Sequence, residues 1–196
     1  MADRGGESRE PGGDAPREPR ASGGDPRGPG DPAAPTTRTI PLFPLGSVLY
    51  PGGPLTLRIF EPRYVDMVRH CMREGSAFGV VLIRAGGEVG EVARTAEVGT
   101  TARIVDFSQL PDGLLGISCL GERRFRILRR WRQADGLNQA AVEWLPDAAP
   151  EPLGAELGFL SDLLRRVLPE LGEIYANVPK RFDDAGWVGA RLTEIL

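Results

Sequence analysis

The sequence predicts an α+β fold in which an antiparallel sheet closes toward a barrel, one helix packs against it, and a small helical subdomain follows. Short apolar runs separated by turn residues recur from residue 40 to residue 145, which is typical of barrel strands. One amphipathic stripe at helical spacing interrupts these runs after Pro62. Beyond residue 150, leucines recur at helical spacing instead.

Residues 1–38 are predicted to be a disordered tail. They contain no aromatic residue and no leucine, isoleucine or valine. A segment without apolar surface cannot offset the entropy that is lost on ordering. We therefore expect a tail over residues 1–38, a β-rich subdomain over residues 39–149 and a helical subdomain over residues 150–196.

Two strands joined by a turn open the folded part. Apolar runs at residues 40–45 and 55–60 predict the strands, and the prolines and glycines of residues 51–54 predict the turn. Pro41 and Pro44 lack the N–H group that a strand partner needs. The first strand is therefore expected at an edge of the sheet or interrupted.

A helix is predicted from Pro62 to Glu74. Proline suits the first helical position, where its missing donor costs nothing, and Gly75 ends the helix. The apolar residues fall on one stripe, which is made up of Tyr64, Val65, Met67, Val68, Cys71 and Met72. Glu61 and Arg63 flank Pro62, and we expect them to form a buried ion pair at the helix entrance rather than an acid–base pair.

Further strands are expected at residues 78–83, 101–107, 114–120, 123–132 and 137–145. The first of these is a continuous apolar run, which indicates a strand buried on both faces. Pro111-Asp112-Gly113 predicts a hairpin turn, and Asp135-Gly136 predicts another.

Residues 123–132 are rich in arginine. Alternation predicts Phe125, Ile127 and Trp131 on one face of this strand. The other face is expected to carry Arg124, Arg126, Arg130 and Arg132. Three interpretations are open: a solvated face with Glu143 across the hairpin, a contact with an acidic partner or with the acidic helices of this chain, and RNA binding.

The C-terminal third is predicted to contain a helix from residue 153 to Pro169, a shorter piece from Glu170 to Ala176, and a last helix from Asp183. This region is expected to pack on the sheet. Phe43 is a residue of the Pro-Leu-Phe-Pro-Leu motif, and Phe60 and Trp187 are expected in the core. Replacement of Phe60 or Trp187 by alanine is expected to cost about 3–5 kcal/mol if the ring is fully buried.

Composition gives no support for binding of nucleic acid, membrane, metal or cofactor. The net charge of −3 favours neither nucleic acid nor an anionic membrane. Cys71 and Cys119 lie in apolar patterns and are expected to be buried free thiols of a cytoplasmic protein. No cysteine–histidine cluster with metal-ligand spacing and no apolar run of about 20 residues occurs. We expect no metal, no cofactor and no membrane partner.

Five ordered segments carry a family resemblance. The first runs from Ile40 to Tyr64 and contains Pro-Leu-Phe-Pro-Leu, a Pro-Gly turn and Ile-Phe-Glu-Pro-Arg-Tyr. The others are residues 99–106, 110–116, 121–127 and 187–196. Together they closely resemble the Lon protease N-terminal (substrate-binding) domain family, from Ile40 to the last residue. The resemblance implies a PUA-like, partly closed β-barrel and a free-standing bacterial member of that family.

The resemblance also implies a function, which is recognition of protein segments without catalysis. The family's peptidase uses a serine activated by a lysine on a separate domain. Here Lys180 is the only lysine and lies in a predicted loop, and no P-loop motif is present. We therefore expect a non-enzymatic domain that binds unfolded or flexible protein segments, and a separate ATPase or protease is a candidate partner. The alternative is an RNA- or small-ligand-binding PUA-like module.

Apolar residues in predicted loops are candidates for the binding surface. Leu49 and Tyr50 precede the Pro-Gly turn, and Leu110 precedes Pro111. If these residues are exposed, they form a cluster of the kind that marks a binding site. Packing beneath the helical subdomain is the equally weighted alternative.

Overall fold

The computed structural model describes residues 37–85, 94–176 and 178–195. The α+β fold is confirmed as a six-stranded sheet in a nearly closed ring with helices packed on it. The predicted disordered tail lies outside the described residues, except for Thr37 and for Arg38, which begins the first strand. The predicted division at residues 149 and 150 stays a prediction.

The described ranges contain six strands and three α-helices. The strands are β1 (Arg38–Leu45), β2 (Pro54–Ile59), β3 (Phe78–Ala85), β4 (Arg94–Gln109), β5 (Leu115–Arg132) and β6 (Asn138–Trp144). The helices are α1 (Pro62–Glu74), α2 (Gly158–Glu170) and α3 (Ala185–Ile195), and short 3-10 turns occupy Ala155–Leu157 and Gly172–Tyr175.

The barrel closes through β5. Its C-terminal half pairs with β6, and β4, β3 and β1 complete the ring. The β1–β3 pair is parallel, although an antiparallel barrel was expected. The N-terminal half of β5 pairs instead with β2 and with the C-terminal half of β4. These three segments, residues 54–59, 103–109 and 115–120, form a three-stranded extension of the barrel.

The two strands expected at residues 114–120 and 123–132 are one continuous strand. Gly121 lies where β5 passes from the extension into the barrel, and its N–H and C=O bond with Gly53 and Gly52 of the Pro-Gly turn at 2.8 Å each. A Cβ atom on Gly121 would lie 2.2 Å from the carbonyl oxygen of Tyr50. Only glycine lets the turn approach this closely, and Gly121 itself stays paired with Ala102 of β4, so β5 is not interrupted there.

The proline-containing strand β1 is not an edge strand, because it lies between β3 and β6. Its two partners overlap only at Leu42: β6 pairs with Arg38–Leu42, and β3 pairs with Leu42–Leu45. Pro41 and Pro44 therefore each lie in a half-strand with one neighbour, which is an environment that a missing N–H tolerates.

Helix α1 has the predicted bounds and packs on the apolar face of the extension. Its buried residues are Tyr64, Met67, Val68 and Cys71, and Gly75 ends it with a left-handed φ of 60°. The Tyr64 ring stacks on Phe43 with 4.1 Å between centroids. Arg63 and Glu61 form the expected ion pair at 2.6 Å with both side chains mostly buried, and Arg63 also donates to the Gly136 carbonyl oxygen.

The expected core position of Phe60 is wrong. Ile59, at the end of β2, is 2% exposed and points inward, whereas the Phe60 ring is 58% exposed. Successive strand residues point to opposite faces, so the residue after an inward Ile59 turns outward. Trp187 is buried as expected, and Phe43 is buried as well.

The expected arginine face is also wrong, because β5 contains an irregularity at Leu128. Before it Arg126 pairs with Glu143, and after it Arg130 pairs with Ala140. Residues directly opposite each other share a face, so an extra residue in β5 exchanges the faces beyond it. Arg130 and Arg132 therefore lie on the face of Phe125 and Ile127, whereas Arg124, Arg126 and Trp131 lie on the other.

The helices of the C-terminal third form a cluster of their own with Leu120 of β5 at its border. Its buried members are Leu164, Leu168, Tyr175, Val178, Trp187 and Val188. Helix α2 begins at Gly158, later than expected, and ends one residue beyond Pro169. The Asp184 carboxylate accepts the N–H groups of Gly186 and Trp187 and so caps α3, as aspartate does at helix starts.

A buried ion pair ties α3 to the Pro-Gly turn. The Arg191 side chain is fully buried and donates to Glu194 Oε1 at 2.6 Å and to the Pro51 carbonyl oxygen at 3.3 Å. Glu194 also accepts the Tyr175 hydroxyl. A Cβ atom on Gly53 would lie 2.1 Å from Glu194 Oε1, so any larger residue there would displace the Glu194 carboxylate.

Trp187→Ala is expected to lower the free energy of unfolding by about 3–5 kcal/mol, because it empties a buried aromatic site. Phe60→Ala is expected to change it by less than about 1 kcal/mol, because most of the ring is in solvent. Urea denaturation of the two variants beside the wild type checks both values. Equal losses in the two variants would contradict the assigned positions of these rings.

Burial raises the pKa of the Glu194 carboxyl above its usual value of 4.5, although Arg191 opposes the shift. The folded chain then binds this proton more readily than the unfolded chain, so this group stabilises the fold more as pH falls. We expect the free energy of unfolding of the wild type, relative to Glu194→Gln, to increase from pH 7 toward pH 4.5. Denaturation series across this range measure the difference, and a constant difference would refute the assignment.

Candidate functional site

One face of the three-stranded extension is apolar across all three strands. The register places Leu57, Ile117 and Phe107 in one cross-strand row. The next row on one side of it, on the same face, contains Leu55, Cys119 and Ile104. The next row on the other side contains Ile59, Leu115 and the polar Gln109. The opposite face carries polar residues such as Thr56, Ser118 and Asp106, so the extension is amphipathic in the manner of a half-buried sheet.

Helix α1 covers only part of this apolar face. Ile59, Ile117 and Cys119 are buried beneath it, whereas Phe107 in the same row as Ile117 is 57% exposed. Val105, the extra residue between Ile104 and Asp106 in β4, is 51% exposed. The uncovered part of the face therefore lies along β4.

A groove of about 280 Å³ runs between the C-terminal end of α1 and this part of β4. We call it the Phe107 groove; its lining residues are Cys71, Met72, Gly75, Ser76, Arg103, Ile104, Val105, Asp106 and Phe107. Met72, on the groove side of α1, is 42% exposed. A smaller groove of about 170 Å³ lies on the β2 side of α1 and includes Leu57 and Phe60. Exposed apolar side chains thus flank the helix on both sides.

The candidate loop residues, for which exposure and packing were weighted equally, are buried or half-buried. Leu49 is 5% exposed and belongs to the core beneath α1. Tyr50 is half-buried, and its N–H bonds to Glu194 of α3. Leu110 is half-buried against Gly116 across the β4–β5 hairpin. None of the three is exposed, but in the described part of the chain only Tyr50 hydrogen-bonds to the helical region, which is the contact that the packing alternative expected. Their role in binding a partner stays a prediction.

The four candidate arginines all contact groups of this chain. Arg126 pairs with Glu143 at 3.1 Å, as the solvated interpretation expected. Arg124 donates to the Pro146 carbonyl oxygen, Arg130 to the Thr95 hydroxyl and Arg132 to the Gly136 carbonyl oxygen. A partner would have to compete with these contacts.

The two cysteines and Lys180 lie in environments that lower their reactivity. Cys71 and Cys119 are buried free thiols, as expected, and burial raises the pKa of Cys71 and raises that of Cys119 to about 12. Neither is a thiolate nucleophile at neutral pH. The Lys180 ammonium donates to the carbonyl oxygens of Tyr175 and Val178. No group of three or more histidine, cysteine or acidic residues is placed to hold a metal ion in the part of the chain that the structure describes.

Comparison with known families assigns the fold. Residues 39–185 match the substrate-binding domain of the ATP-dependent protease La (Lon). The chain belongs to the Lon substrate-binding domain family. A Lon N-terminal domain protein from Xanthomonas campestris has a similar structure, with a TM-score of 0.65, 41% sequence identity, and 81% of this chain and 83% of that chain covered. The matched region is the non-catalytic part of the protease.

Cereblon is similar to this chain over part of its length. The protein cereblon of Danio rerio is 35% identical over 133 residues, which are 65% of this chain and 30% of cereblon. That of Gallus gallus is 35% identical over 114 residues, which are 56% of this chain and 24% of cereblon. The chain thus spans less than a third of the length of these relatives. No described helix is long and apolar enough to cross a membrane.

Phe107, Val105 and Met72 were not identified from the sequence as binding residues. Alternation of Val105, Phe107 and Gln109 marks a strand with apolar positions, but only the placement of α1 decides which of these positions it covers. The sequence therefore carries no signal for this choice.

Proposed function

We propose that this domain binds unfolded or flexible protein segments in the Phe107 groove and catalyses no reaction on them. The observation that carries the proposal is the exposure of Phe107 on the same sheet face as the buried Ile117. An aromatic ring on a core-forming face that nothing in the described ranges covers is an accessible apolar site. Membership in a substrate-binding domain family supports proteins as the ligand.

The groove suits weak and broad recognition. It offers apolar side chains at Met72, Ile104, Val105 and Phe107, with few charged groups to select one sequence. A flexible segment also loses conformational entropy when it is ordered on the domain. We therefore expect dissociation constants in the micromolar range or weaker, which suit a domain that passes segments to a separate ATPase or protease.

The runner-up is an RNA-binding module, and one observation favours it. The irregularity at Leu128 places Trp131 on the same face as Arg124 and Arg126, so a ring that can stack on a base lies among cations. The ring already lies against Arg129 of this chain at 5.5 Å. RNA binding through this face would be strongly sensitive to salt, whereas binding in the Phe107 groove would not.

Phe107→Ser is expected to weaken binding of reduced, carboxymethylated α-lactalbumin about tenfold to a hundredfold. The reason is that burial of a phenylalanine side chain is worth about 1.5–3 kcal/mol, and 1.4 kcal/mol corresponds to a factor of ten. The matched control is Phe159→Ser, which removes a ring of similar exposure from α2. Titrations by fluorescence anisotropy compare the two variants with the wild type.

Equal affinities for the two variants would contradict a site in the Phe107 groove. Absence of binding by the wild type at high micromolar concentration, together with tight and salt-sensitive binding of a single-stranded RNA, would replace the proposal with the runner-up. Thermal melts of both variants confirm that a lost affinity does not reflect unfolding.

A further inference from the structure

We propose that the bound segment adds to the sheet as an extra strand on the outer edge of β4, over residues 103–109. This inference rests on the proposed function and specifies how the segment is held. Main-chain hydrogen bonds to the edge would supply affinity for many sequences, while alternate side chains of the segment would enter the Phe107 groove.

The outer edge of this part of β4 has no strand partner among the described residues. β3 pairs with β4 from Arg94 to Ala102 and goes no further, whereas β5 continues along the other side as far as the hairpin. Residues 103–109 therefore form an edge strand, and all but the half-buried Ile104 are exposed. An exposed edge presents a row of backbone donors and acceptors to another chain.

The direction of the backbone groups follows from the hairpin. The Leu110 N–H donates to the Leu114 carbonyl oxygen and so points toward β5. Backbone groups alternate in direction along a strand, so the groups of Ser108 also point toward β5 and those of Phe107 and Gln109 point to the outer edge. The Phe107 N–H accordingly finds its partner on its own strand, in the Asp106 carboxylate at 2.8 Å.

Asp106 thus closes the edge when no segment is bound. Its carboxylate takes the donor that a new strand would need, and a charged side chain at an edge also hinders unwanted pairing. Among the described residues no basic side chain is paired with it, so rotation of Asp106 away from the Phe107 N–H breaks no ion pair. An arriving segment can therefore exchange the carboxylate for its own carbonyl oxygen.

The occupant that fits this edge is an extended segment with an apolar residue at alternate positions. A segment residue opposite Phe107 shares its sheet face and therefore lies over the groove beside Met72. The N-terminal residues of this chain, 1–36, are a poor match, because they offer no large apolar side chain apart from Met1. A second copy of the domain pairing edge to edge is the competing occupant.

The test uses a short fluorescein-labelled peptide of alternating valines and threonines and two derivatives of it. One derivative is N-methylated on its valines and the other on its threonines, so each loses the hydrogen-bond donors of one edge only. Strand addition predicts that one derivative binds about tenfold or more weakly than the parent peptide, while the other binds like the parent. A loss of affinity in the peptide with methylated valines indicates antiparallel addition. A loss of affinity in the peptide with methylated threonines indicates parallel addition.

Asp106→Ala provides an independent measurement, because it frees the Phe107 N–H. Strand addition predicts about threefold tighter binding of the parent peptide, while Asp162→Ala, which removes an exposed carboxylate from α2, leaves the affinity unchanged. Weaker or unchanged binding by Asp106→Ala would overturn the role of this carboxylate, and the methylated peptides retain the main test if the variant does not fold.

Equal binding of both methylated derivatives would overturn strand addition. If Phe107→Ser still weakens binding of α-lactalbumin in that case, the proposed function stands without the inference. If the wild type binds neither probe, the proposed function fails together with the inference. Analytical ultracentrifugation of the free domain tests the competing occupant. A dimer that Phe107→Ser dissociates would also overturn the inference, because a second copy of the domain would then occupy the edge.

Discussion

Packing of helix α1 on the apolar face of the extension is the constraint on which the rest of the domain depends. The stack of Tyr64 on Phe43 and the Glu61–Arg63 ion pair hold the start of the helix to β1 and to the Gly136 turn. Its end is set by Gly75. With both ends fixed, a 13-residue helix buries Ile117 and leaves Phe107 in the same row uncovered. The candidate site is therefore a consequence of where the helix lies across this face.

The Pro-Gly turn between β1 and β2 joins the other parts of the fold. Gly52 and Gly53 bond with Gly121 of β5 on one side, and the turn receives Arg191 and Glu194 of α3 on the other. At Gly121 the two backbones approach too closely for a side chain. The turn thereby fixes the helical region relative to the extension and accounts for the buried position of Leu49 beside it.

Periodicity was sufficient to predict the helix Pro62–Glu74, and turn residues were sufficient to predict both hairpin turns, because each depends on local sequence. The order of the predicted elements then gave the α+β fold. It failed where a tertiary choice decides the outcome. Phe60 was predicted to be a core residue, but Ile59 beside it points inward, so Phe60 points outward. The irregularity at Leu128 likewise places Arg130 and Arg132 on the opposite face from the predicted one. The Phe107 groove could not be predicted for the same reason. Alternation indicates the sheet face on which an apolar residue lies, but not whether a helix covers that residue.

Mapping a bound unfolded chain onto the domain by amide chemical shifts tests the central claim most directly. Titration of the isotope-labelled domain with reduced, carboxymethylated α-lactalbumin should perturb amides of residues 103–109 and of Met72–Ser76 before any others. Perturbations confined to the arginines of β5, or to Leu49 and Tyr50 beside the Pro-Gly turn, would contradict the account.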